Sequence, residues 1–133
     1  ISPIQTIIDE LEEKSNITNL TYTFGNELML GNVVFCHPDY FSGTLGKTAT
    51  GMADTYLAKY RDLSAVIVAH THHIFSGLYR NVAVYENGCF CHEIDYHKGP
   101  QKLSNQWNKG YGIYTINSEG NLIINESKVF TIN

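Results

Sequence analysis

The sequence predicts an α/β protein, a mixed sheet with flanking helices, and three observations carry that prediction. "SAVIVAH" at 64–70 is continuously apolar up to its histidine, as a strand buried on both faces must be. "GKTATGMADTYLAKYRD" at 46–62 repeats apolar residues at helical spacing. The other apolar stretches are short and separated by Gly and Asn, so strands and helices interleave along the chain.

Each element has its own justification. In "SPIQTIIDELEEKSN", Ser2 is a suitable N-cap and Pro3 suits the first helical position. Ile4, Ile7, Ile8 and Leu11 make one apolar stripe, which predicts a helix over 3–15. "LTYTFGNELMLGNVVFCH" predicts two or three strands turning at Gly25-Asn26 and Gly31-Asn32. In the second helix Ala49, Met52, Ala53, Tyr56, Leu57 and Tyr60 form the buried face. "NVAVYENG" is a further strand, and "GYGIYTINSEGNLIINESKVF" a hairpin turning at Ser118-Glu119-Gly120. No internal repeat or low-complexity stretch interrupts this order.

Composition bounds the function. The chain has 133 residues, one domain or part of a larger one. Hydrophobic residues make up 43% and charged residues 17%, a globular balance rather than a disordered one. A formal charge of −4 gives no basic field for holding nucleic acid non-specifically, so any phosphate chemistry needs positive charge from bound metal. No apolar run approaches the ~18 residues that span a bilayer, and no signal-peptide pattern opens the chain. Three cysteines, an odd number, do not read as a disulfide framework, so the expected address is cytoplasmic. Asn-x-Ser/Thr triplets at Asn16, Asn19 and Asn125 are what chance gives in so Asn-rich a chain.

Three of the six histidines, His70, His72 and His73, crowd into four positions. His70 closes a buried strand, and His37 closes the strand "NVVFCHPD" in the same manner. Sites in α/β sheets gather at such carboxyl ends. If the two strands are neighbours, imidazoles converge there, and imidazole is the common ligand of zinc, manganese, iron and nickel. In extended backbone side chains alternate, so His70 and His72 are expected on one side and His73 on the other. The plainer alternative is that strand-end histidines cap backbone groups in a loop.

With these residues in place, "VIVAHTHH" resembles the Gly-His-x-His signature of the calcineurin-like metallophosphoesterases, with Ala69 where glycine is usual. "VVFCHPD" resembles the strand-end histidine motif that precedes it, and the resemblance covers about residues 28–92. It implies a partial metallophosphoesterase-type layered sandwich. It further implies that His37 and His70 bind one cation and His72 the second of a dinuclear pair (Mn, Fe, Zn or Ni). Two cations ~4 Å apart would clamp a phosphomonoester or phosphodiester and activate water. Whether the ester belongs to a nucleic acid is left open, and His73 matches no ligand of the motif.

The resemblance also calls for Asp-x-His, Gly-Asp-x-x-Asp and Gly-Asn-His motifs. Gly-Asp occurs nowhere in the chain, and Gly25-Asn26 is not followed by histidine. Asp95-Tyr96-His97 comes last rather than first and reads as a loop after "CFCHEI". Residues 1–133, which start at Ile1, are therefore expected to be the C-terminal part of one metallophosphoesterase domain. The missing N-terminal portion would be its partner, and the chain alone would bind metal weakly and turn nothing over. Two alternatives stand beside this: a non-catalytic interaction or structural domain with a vestigial histidine cluster, and a self-sufficient single-metal His₃ enzyme.

Three further patterns point to structure rather than chemistry. "SGTLGKTA" lacks the first glycine of a phosphate-binding loop, since Phe41 occupies it, so Lys47-Thr48 is expected to open the helix. Cys89-Phe90-Cys91-His92 has no second cysteine pair to close a tetrahedron, and its thiols are expected to be buried and structural. Trp107, Tyr111 and Tyr114, without a basic groove, are expected in core and rim.

Overall fold

The computed structural model describes residues 3–16, 20, 25–91 and 107–132. Helix α1 (Pro3–Ser15) is followed by β1 (Glu27–Leu30), β2 (Val33–Cys36), α2 (Lys47–Leu57), β3 (Ala65–Val68), β4 (Ile74–Tyr79), β5 (Val82–Asn87), β6 (Gly110–Ile113) and β7 (Lys128–Thr131). Five strands form one mixed sheet in the order β1-β2-β3-β5-β4, and β6 and β7 form a second, two-stranded one. The α/β class and the mixed sheet are as the sequence predicts.

Strands β2, β3 and β5 run parallel, with Cys36 beside Val68 and Val68 beside Glu86. Strand β1 is antiparallel to β2 at one edge and β4 antiparallel to β5 at the other. The "IFSGLY" stretch of β4 is a strand that the sequence pattern does not mark. Its alternation is weak, because three of its residues, Ser76, Gly77 and Leu78, are exposed at the sheet edge.

Alternation along the parallel strands builds two apolar layers. Val34, Cys36, Val66, Val68, Val82 and Val84 face α2, which packs Ala49, Ala53 and Tyr56 against them. Val33, Ala65, Ile67, Ala83 and Tyr85 face the other way, onto Leu122, Tyr114, Ile116 and Val129 of the C-terminal hairpin. All four residues of β3 are buried, so this strand is the middle of the sandwich, and each buried Val or Ile there contributes about 1.5–3 kcal/mol. The stripe expected on α1 is not covered in the same way, since Ile7 and Leu11 are exposed. No helix among the described residues is long and apolar enough to cross a membrane.

Two glycines allow close approaches. Gly31 turns β1 into β2 at φ +58°, and a Cβ there would stand 2.6 Å from the Gly120 Cα. The Asn32 N–H donates to the Gly120 carbonyl at 2.8 Å, which fastens this turn to the tip of the C-terminal hairpin. Gly46 precedes α2 at φ +80°, and the Phe75 ring fills the space its side chain would need. The predicted turn at 118–120 is present, closed by the Asn117 N–H on the Asn121 carbonyl.

Because β2, β3 and β5 are parallel and in register, their carboxyl ends open on one side of the sheet. His37, His70 and the 87–89 segment all emerge there.

Candidate metal centre at the carboxyl ends of the parallel strands

His37 is the first residue after β2, and its N–H donates to the Asn26 carbonyl at 2.8 Å. Two residues past β3 stands His70, and the Ala69 N–H between them donates to the Cys36 carbonyl at 2.9 Å. The two imidazoles are neighbours, with ring centroids 4.8 Å apart and planes at 57°. Phe41, from the loop after β2, sets its edge against His70 at 6.0 Å and lies 5.9 Å from the His73 ring.

The backbone between β3 and β4 is not extended. His70 has φ +82° and His72 φ +58°, the left-handed region that few residues other than glycine visit. Each such residue costs of order 1–3 kcal/mol, and strain of this kind concentrates where a side chain must be aimed. Surrounding hydrogen bonds hold it: the His72 carbonyl accepts from the Asn108 N–H at 2.9 Å and the His73 carbonyl from the Gly88 N–H at 2.6 Å.

The expected alternation of the three histidines therefore fails, since it applies only to extended chain. His70 meets His37. His72 instead sets its ring 4.2 Å from that of Trp107, and its ligand nitrogen and the sulfurs of Cys89 and Cys91 all lie within 4.8 Å of one another. Among the described residues this is the one group of three His, Cys, Asp or Glu side chains so closely placed. Of the three predicted ligands, the structure thus brings His37 and His70 together and gives His72 other company.

Cys89 is half-buried and Cys91 exposed, which corrects the expectation of buried structural thiols. The reason is that β5 ends at Asn87 and Gly88 turns at φ +74°, so neither cysteine lies in the buried strand. The one buried thiol is Cys36, pushed up to about 11, chiefly by its burial. Burial, with Cys91 beside it, also holds the Cys89 thiol above its ordinary value.

His73, which matches no ligand of the motif, is in the core. It is 2% exposed, and its Nδ1 lies 3.4 Å from Oε1 of Glu86, itself fully buried. The separation is that of an ion pair, but the geometry is not that of a hydrogen bond. His73 Nδ1 and both Glu86 oxygens have no hydrogen-bond partner among the described residues. Glu86 belongs to no motif of the sequence, although a lone acid inside "VAVYEN" is the signal that could find it.

A cleft of about 260 Å³ opens beside His37, lined also by Asn26, Glu27, Phe35, Ile67 and Asn87. Glu27 accepts the Tyr56 hydroxyl at 2.6 Å, and Asn87 accepts the Tyr114 hydroxyl. The aromatic trio separates: Tyr114 packs against the core, Trp107 covers His72, and Tyr111 stacks on Phe130 at the exposed rim. His92 and the Asp95-Tyr96-His97 triplet lie outside the described residues.

Comparison of the chain with known protein families, with curated proteins and with solved structures finds no match.

Proposed function

We propose that this chain supplies imidazole ligands to a metal-dependent phosphoester hydrolase of the calcineurin-like kind. The observation that carries the reading is the His37–His70 pair, 4.8 Å between centroids at the tips of adjacent parallel strands. Two imidazoles on one cation, each with a metal–nitrogen distance of about 2.1 Å, have centroids about 4.5–5.3 Å apart at tetrahedral to octahedral angles. The observed spacing falls in that interval. The donor set therefore fits a divalent cation.

The chemistry such cations supply is neutralisation of phosphate charge and activation of water, which an acidic chain cannot provide from its own side chains. His37 and His70 hold the cation, while Phe41 packs on His70 and limits water on that side. The cleft beside His37 receives the ester, with Asn26 and Glu27 forming its polar wall. Carboxylate ligands of the Gly-Asp kind are missing from this sequence, and in this proposal they come from outside residues 1–133. The resemblance would give His72 to a second cation, but its ring stands with Cys89 and Cys91 instead, so this reading rests on His37 and His70 alone.

The test is metal content and hydrolysis of nitrophenyl phosphate and bis-nitrophenyl phosphate by the longest encoded form, beside His37→Ala and His70→Ala. The proposal expects manganese- or zinc-dependent turnover that each substitution lowers by a factor of at least about 100. Metal bound without turnover in the parent would instead favour a non-catalytic domain that keeps a histidine cluster. Turnover that survives both substitutions would overturn the assignment.

A further inference from the structure

We propose that His72, Cys89 and Cys91 form a separate soft-metal site, selective for zinc, that ties the strained turn after β3 to the segment after β5. The phosphoesterase reading is not needed for this. It rests on the one N/S/S group that the described residues bring within 4.8 Å.

The site is built rather than incidental. Its three residues come from two loops that share a backbone network. Asn108 donates its N–H to the His72 carbonyl at 2.9 Å and accepts the Cys89 N–H at 3.1 Å. Gly110 donates to the Cys89 carbonyl at 2.9 Å. Trp107 joins both halves: its indole N–H donates to the Cys91 carbonyl at 3.0 Å, and its ring stands edge-on to His72 at 4.2 Å. His72 has a left-handed backbone, φ +58°, and its ligand nitrogen lies within 4.8 Å of both cysteine sulfurs.

The donors select the metal. Thiolate sulfur is soft, and two thiolates with one imidazole suit zinc rather than magnesium, calcium or manganese. Zinc takes sulfur at about 2.3 Å and nitrogen at about 2.0–2.1 Å, so tetrahedral donors stand about 3.6–3.8 Å apart. Closing from within 4.8 Å requires a movement of about an ångström, within reach of side-chain rotation. Two Zn–S bonds and one Zn–N bond form, two S–H bonds break and their protons pass to solvent, and no electron is transferred. Water takes the fourth position. Once bound, the metal would fix the turn that carries His70, so occupancy here supports the neighbouring imidazole pair.

Cobalt titration of the thiol-reduced chain tests the proposal, because cobalt in place of zinc reports sulfur ligation through a thiolate-to-metal charge-transfer band. Trp107 is the single tryptophan and touches the site, so its emission is a second, independent reporter. One equivalent of cobalt should produce the band and change the emission, and zinc should then displace the cobalt. Cys89→Ser and Cys91→Ser should each abolish the band with the circular dichroism of the parent retained. His37→Ala and His70→Ala should leave it intact, so this proposal and the phosphoesterase reading fail separately. If the double Cys89→Ser, Cys91→Ser variant keeps the band, or the reduced parent never shows it, the site does not exist. A Cys89–Cys91 disulfide that persists under mild reductant would also overturn it.

Discussion

The imidazoles of His37 and His70 lie with centroids 4.8 Å apart, although each follows a different strand of the parallel core. The adjacency follows from register: Cys36 stands beside Val68, so the residues just beyond them leave the sheet together. For His70 to meet His37 its backbone takes φ +82°. A side chain there adds strain that glycine would not, so its contacts must offset that cost. His70→Gly should therefore cost little or raise stability by up to about 1 kcal/mol in urea unfolding, since released strain offsets the entropy of glycine. The same variant should lose metal affinity. A loss of several kcal/mol would mean that His70 serves packing instead.

The His73–Glu86 pair sits in the core with three polar atoms unpartnered among the described residues. His73→Ala should destabilise by about 3 kcal/mol or more, because it leaves a buried acid alone. The double replacement His73→Phe, Glu86→Leu should recover most of that loss. A double-mutant cycle by urea unfolding measures the coupling, and additive costs would contradict the pairing.

Cys36 gives a pH dependence with a defined sign. Burial raises its thiol from the ordinary value of 9.0 to about 11 in the folded chain. Above pH 9 the unfolded chain loses this proton while the folded one keeps it, so stability is full below that point and falls between about pH 9 and 11. The total is of order 2–3 kcal/mol at about 1.4 kcal/mol per pH unit. Cys36→Ala should flatten that part of the stability–pH curve, and an unchanged slope would refute the cause.

Gly31 touches the far hairpin with no room for a side chain, since a Cβ on it would fall 2.6 Å from the Gly120 Cα. Gly31→Ala combines a positive φ with that collision and should cost more than about 1 kcal/mol. Thermal unfolding measures the effect. A neutral result would show that the turn and the hairpin tip do not meet.

The parts of the fold that are legible in the sequence are those with one dominant signal. The apolar run of β3 and the helical stripe of α2 state their burial directly, and both occur as expected. Strand β4 is illegible because an edge strand exposing Gly77 and Leu78 has little alternation to read. At the site, the clustering of histidines is visible, but their directions are not. Side-chain alternation presumes extended backbone, and two left-handed residues in three overturn it. The cysteines mislead for a similar reason, since Gly88 ends the strand one residue before them. Glu86 reaches His73 at the open end of the β4–β5 pair, away from the turn that joins the two strands, a contact that no local spacing announces.

Whether His37 and His70 share a cation can be read from paramagnetic broadening of the six imidazoles by sub-stoichiometric manganese, followed by NMR. With one shared cation the His37 and His70 resonances broaden together, and His70→Ala abolishes the effect at His37. Broadening at His37 that persists in His70→Ala, or none at either ring, would show that the pair binds no common ion.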